Sequence, residues 1–211
     1  MINKNFLQEA SLLQLSEEIF STVINDGRKL NTVENLLTEK IKEAETINFI
    51  LADGLGYENL MSLETSLKDN IKKIINTTFP SSTNVALATF AMMSHPIDHG
   101  IIGYYMYDKN NFGLINALNW NSENELLLNN DHFKNQESIW KKFKSFNTHV
   151  SNFQPENLVG SSLSNFLYEK SSTVPYKTIE NLIEMLSEAS FLEYRFNFIY
   201  YLNVDIAVHI F

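Results

Sequence analysis

The chain has 211 residues, 44% of them hydrophobic, which suits one ordinary α/β domain with a sizeable core or most of a larger one. Its 16 Lys and Arg stand against 25 Asp and Glu, a formal net charge of −9 that repels nucleic acid backbones and anionic membranes. With no cysteine, disulfides, thiolate metal sites and cysteine nucleophiles are excluded, so any metal rests on oxygen and imidazole ligands.

The first residues, Met1 to Ala10, lack the basic start and apolar run of a secretory signal. No run of about 18 apolar residues occurs, so the expectation is a cytoplasmic chain without a membrane span. Residues 5–25 carry Phe6, Leu12, Leu15 and Ile19 at helical spacing, closed by Asp26-Gly27. A second amphipathic helix is expected from Val33 to Ala44. Ile47 to Ala52 reads as a buried strand closed by the turn Asp53-Gly54. Tyr57 to Leu67 reads as a helix, and Ile71 to Phe79 as a second strand ending at Pro80.

Ser81-Ser82-Thr83 precedes the apolar run Val85 to Met93 and marks a helix N-terminus, with Thr83 as N-cap. Ile101 to Tyr107 reads as a short strand or turn, and residues 108–135 as loop with one or two ribbons. Glu137 to Phe146 is expected helical, Thr148 to Phe153 a strand, Ser161 to Leu167 a short helix and Thr178 to Ala189 a clearer one. Phe196 to Val204 is apolar enough for a central strand, ending at Asp205. This alternation predicts one α/β domain over residues 1–211, a three-layer sandwich with a mainly parallel central sheet. In such sheets sites sit at the carboxyl ends of strands, where Asp53, Asp205 and Thr83 all fall.

Each of these residues has a plain reading beside a chemical one. Asp53-Gly54 is a common turn, or a metal ligand presented at a strand end. Asp205 and His209 are a capping Asp and a satisfied His, or two ligands on one helical face gripping a divalent cation such as zinc. Thr83 is an N-cap, or a nucleophile activated by the helix terminus and a metal.

Taken in order, the motifs resemble a known family. Ile50-Leu51-Ala52-Asp53-Gly54-Leu55-Gly56 resembles the opening motif of type I phosphodiesterase/nucleotide pyrophosphatase proteins, of the alkaline phosphatase superfamily. Phe79-Pro80-Ser81-Ser82-Thr83 resembles their nucleophile segment, and Asp98-His99-Gly100-Ile101 the motif that follows. Tyr200 to Asp205 with His209 is similar to their metal-binding strand end. The resemblance implies an alkaline-phosphatase-like fold and hydrolysis of phosphodiester or pyrophosphate bonds in a small phosphate ester. It implies two divalent ions, zinc foremost, one held by Asp53 and the Thr83 oxygen and one by Asp205 and His209. Thr83 would form a phospho-threonine intermediate. Thr78, before Phe79-Pro80, is the alternative nucleophile, but Thr83 lies sixteen residues before His99, the spacing that fits the family without a gap. Thr83-Asn84 also resembles the phosphonoacetate hydrolase branch. His99 is expected to support the site from outside the metal shell, and Tyr104 stands where some relatives carry an Asn that holds phosphoryl oxygens. His95, His132 and His149 have no partner at ligand spacing.

The family pattern continues with an Asp-His pair and a further His, whereas this sequence ends at Phe211. The expectation is therefore a metal site and a fold incomplete at the C-terminus, with an exposed sheet edge or apolar face. A complementing chain or a homo-oligomer would cover it. The alternative function is a truncated, non-catalytic fragment or interaction partner; a phosphomutase or sulfatase relative is a third reading.

Overall fold

The computed structural model describes residues 10–24, 36, 37, 41, 43–108, 113–117, 136–188 and 195–210. Its centre is a four-stranded, all-parallel sheet in the order β1 (Ile47–Ala52), β6 (Phe196–Tyr201), β4 (Val150–Pro155), β5 (Ser172–Tyr176). Because all four run the same way, their carboxyl ends share one edge of the molecule. A separate antiparallel ribbon pairs β2 (Tyr105–Asp108) with β3 (Gly113–Asn116).

Side chains alternate between the two faces of the sheet. On one face, Ile47, Val150, Phe196, Phe198 and Tyr200 pack on α1 (Leu12–Val23), α3 (Thr83–Met92), α5 (Ile139–Ser145) and α6 (Ser162–Leu167). Aromatic rings fill this layer: Phe49 stacks on Phe90 at 5.1 Å, and Trp140 meets Phe198 edge-on at 5.4 Å. Each such pair contributes about 0.5–1.5 kcal/mol beyond its buried area. On the other face, Phe153 and Ile199 pack with Leu182 of α7 (Ile179–Ser187). The result is the three-layer α/β sandwich that the alternating pattern predicted.

The central place of β6 follows from its apolar, aromatic run: Phe196 to Tyr200 are all buried between β1 and β4. Likewise α3 is apolar all round and buried nearly throughout, as the interior position of a helix requires. β1 is an edge strand of this sheet, and Ile50 on the α7 side is 61% exposed. Ile206, Val208 and Ile210 of α8 (Asn203–Ile210) are exposed as well.

Several elements differ from the sequence reading. Ile71 to Phe79 is not a strand: it makes one isolated bridge, Ser11 to Asn76, and Ile74 lies exposed beside Lys72 and Lys73. Phe79 is exposed as well, and the segment joins neither sheet. The helix after β1, α2 (Tyr57–Ser62), stops early because Leu63 turns extended, and Thr65 then caps a 3-10 turn over Ser66–Asn70. β5 carries no strand signal in the sequence because Pro175 interrupts it; an edge strand tolerates the missing N–H. β6 ends at Tyr201, so Asp205 belongs to the first turn of α8 and not to the strand. Most of the expected helix over Val33 to Ala44, residues 5–9 of the first helix and the loop 118–135 lie outside the described residues. Among the described residues no helix is long and apolar enough to cross a membrane.

Candidate active site

Asp53 sits immediately past β1, where its N–H extends the ladder to the Tyr201 carbonyl at 2.9 Å. Its side chain lies on the same face as Phe49 and Leu51. Three donors converge on this one carboxylate. Oδ1 accepts the Gly54 N–H at 3.0 Å. Oδ2 accepts the Thr83 hydroxyl at 3.0 Å and the Tyr200 hydroxyl at 2.6 Å.

Thr83 reaches Asp53 because it is the first helical residue of α3 and not its cap. Ser82 occupies the N-cap position and makes no side-chain capping bond. The Thr83 hydroxyl therefore points to Asp53, beside the positive end of a ten-residue helix. Asn84 donates to the Gly103 carbonyl at 2.7 Å, pinning the loop before β2 against the helix start. Ser82 Oγ and Asn84 Oδ1 are buried without a hydrogen-bond partner among the described residues. Thr78 is elsewhere: its hydroxyl donates to the Pro80 carbonyl at 2.8 Å.

Asp205 enters from α8. Gly54 has φ +76°, and a Cβ on it would stand 2.7 Å from Asp205 Cα. The Asp53-Gly54 turn and the first turn of α8 therefore touch backbone to backbone, which only glycine permits. His209 lies one turn on, its Nε2 3.4 Å from Asp205 Oδ1, and is largely exposed. So the four candidate residues form two pairs, Asp53 with Thr83 and Asp205 with His209, at one end of the sheet.

Two tyrosines complete the site. Burial, then the negative charge of Asp53 and the hydrogen bond to it, hold the Tyr200 phenol far above its usual range, with Asp205 adding to the effect. Burial and the Asp53 charge raise Tyr168 in the same way. Both stay protonated and remain donors. Tyr200 shares strand parity with Phe196 and Phe198, so a hydroxyl-tipped aromatic at the end of a core face was its signal in the sequence. Tyr168 follows α6 and has no local signal; its neighbours are all tertiary. Thr83, Tyr168, Tyr200 and Asp205 line a cavity of about 210 Å³.

His99 is fully buried and outside this cavity. Its Nδ1 accepts the Ile101 N–H at 3.1 Å, which leaves the proton on Nε2, 3.0 Å from the Thr89 hydroxyl. That fixes a neutral imidazole between α3 and the loop that follows it, a structural place. Tyr104 is exposed and packs edge-on against Tyr105 at 5.0 Å. His95 and His149 are exposed, and His132 lies outside the described residues.

The donor types suit divalent cations, since carboxylate, hydroxyl and imidazole oxygens and nitrogens are gathered at one end. They fit in kind but supply two donors to each pair. Among the described residues no three carboxylate or imidazole groups converge as a metal-binding set. A catalytic zinc takes about three protein ligands.

An all-parallel sheet with a hydroxyl and carboxylates gathered past its strand ends is the layout of an α/β enzyme site. The family model described as type I phosphodiesterase / nucleotide pyrophosphatase matches residues 49–209, and the chain belongs to that family. The matched span contains every residue of the site described above. A search of curated proteins finds no match.

Proposed function

We propose that the chain hydrolyses a phosphodiester or pyrophosphate bond of a small ester, with Thr83 as nucleophile. The observation that carries this reading is the 3.0 Å hydrogen bond from the Thr83 hydroxyl to Asp53. It aligns the hydroxyl of the first residue of α3 with a carboxylate that accepts its hydrogen bond. Tyr200 donates to the same oxygen and so fixes the carboxylate's orientation. Thr83 Oγ1 attacks phosphorus as its proton leaves along the hydrogen bond to Asp53, and the bond to the leaving alcohol or phosphate breaks as that group takes up a proton. Water then hydrolyses the phospho-threonine and restores the hydroxyl. The N-terminal end of α3 favours the negative charge gathered on the phosphoryl oxygens.

Two divalent ions, zinc foremost, are part of the reading. Asp53 with Thr83 and Asp205 with His209 would hold them. When bound, they would neutralise charge on the attacking and leaving oxygens. The two-donor pairs and the exposed edge at Ile50 favour a second reading, a non-catalytic chain that serves as an interaction partner.

One assay separates the two. With zinc supplied, the chain is expected to hydrolyse bis(4-nitrophenyl) phosphate, and Thr83→Ala to reduce turnover by at least about a thousandfold. Thr78→Ala should leave the rate intact. Full turnover in Thr83→Ala would remove the nucleophile assignment. No turnover and no zinc retained after dialysis would favour the second reading.

A further inference from the structure

The cavity beside Thr83 has a marked chemical character. Leu87, Leu158, Leu163, Leu167 and Leu202 give its wall an apolar part, beside polar residues that include Thr83, Asn157, Ser161 and Tyr200. No lysine, arginine or histidine lines it, and Asp205 is its one carboxylate. Gln154 and Ser164 also reach the wall, but they are occupied with each other at 2.9 Å.

Tyr168 stands apart from the other polar residues of the lining. The residue is 6% exposed, and its hydroxyl is buried with no partner among the described residues. Of the buried polar atoms in that state, it alone lines the cavity. The ring cannot easily swing away: Trp140 meets it edge-on at 4.7 Å and Phe198 packs at 5.7 Å. A buried, unsatisfied donor destabilises the free protein, and it calls for an acceptor that arrives from outside.

We propose that the cavity receives one ester group of the substrate, an uncharged and largely apolar group bearing a hydrogen-bond acceptor, and that Tyr168 selects it. The inference rests on the phosphodiesterase reading and deepens it. The leucines disfavour a group with many polar atoms, because those set against them would be left without a partner. A nucleoside is therefore a poorer occupant than a simple aryl or alkyl ester.

The test uses the full chain and 4-nitroanisole, a neutral aryl ether with acceptor oxygens, titrated at pH 7 by ligand-observed NMR. Adenosine is titrated in parallel. The expected result is tighter binding of 4-nitroanisole than of adenosine. Tyr168→Phe should weaken 4-nitroanisole by roughly five- to tenfold, the size of one neutral hydrogen bond. The same variant should melt no lower than the parent, since it removes an unsatisfied group. A hydroxyl with a merely structural role would lower the melting temperature and leave the affinity alone, and that result would overturn the proposal. Tighter binding of adenosine would overturn it too. Retained, Tyr168-dependent binding of 4-nitroanisole with no hydrolysis of bis(4-nitrophenyl) phosphate would sink the phosphodiesterase reading while supporting the cavity's preference.

Discussion

Gly54 links two halves of the site that are far apart in sequence. At φ +76° an L side chain is already strained, at about 1–2 kcal/mol. An added Cβ would also lie 2.7 Å from Asp205 Cα and 2.9 Å from Asp205 N, both backbone atoms that cannot rotate away. Gly54→Ala must therefore push α8 from β1. The expected outcome is a loss of at least about 2 kcal/mol in urea unfolding, the sum of strain and displaced packing. An unchanged urea midpoint would show that α8 is not held in this place. At this scale the sequence was partly legible. Asp53-Gly54 announced a turn, but its cause lies in Asp205, which no local pattern reveals. The same is true of Tyr168, whose importance comes from Trp140, Phe198 and the cavity.

Between neighbouring elements, the helix caps show how function and stability divide the same residue types. Thr178 caps α7 conventionally, its side chain accepting the Asn181 N–H at 3.2 Å. Ser82 caps α3 without any such bond, and Thr83, next in line, turns its hydroxyl to Asp53 instead. Thr178→Ala should therefore cost about 1 kcal/mol of stability, and Ser82→Ala should cost almost nothing. Equal losses in the two variants, read from urea midpoints, would contradict this division. Hydroxyl residues before an apolar run correctly marked the start of α3, but the sequence placed Thr83 one position early. Strong period and composition made β6, α5 and α7 readable. β5 was not, because Pro175 suits only the sheet edge that tertiary structure provides. Ile71 to Phe79 was over-read for the converse reason: β-branched residues alone do not create a neighbouring strand.

Across the whole molecule, two buried phenols tie the site to the sheet, and with Tyr168 they make stability depend on alkaline pH. Tyr200 donates to Asp53, and Tyr176 donates to the Tyr200 carbonyl at 2.6 Å, so β5, β6 and β1 are joined through tyrosine hydroxyls. Burial, with the neighbouring Tyr201 adding to it, pushes Tyr176 up to about 12, and burial with Asp53 raises Tyr168 and Tyr200 further. An unfolded tyrosine ionises near pH 10, so above that value the unfolded chain sheds protons that the folded chain retains. The stability these groups provide is whole below about pH 10 and falls as pH rises toward the folded values. For Tyr176 the window runs from about 10 to about 12. Each phenol adds a slope approaching ~1.4 kcal/mol per pH unit inside its window. Thermal melts should be level with respect to these groups from pH 7 to about 9 and drop steeply beyond about pH 10. Tyr176→Phe should melt lower at neutral pH, by the loss of one buried hydrogen bond worth about 1 kcal/mol, yet lose less on going to pH 11. Parallel pH profiles for parent and variant would show that folding does not raise the Tyr176 phenol, and the link from sheet to site would then rest on Tyr200 alone.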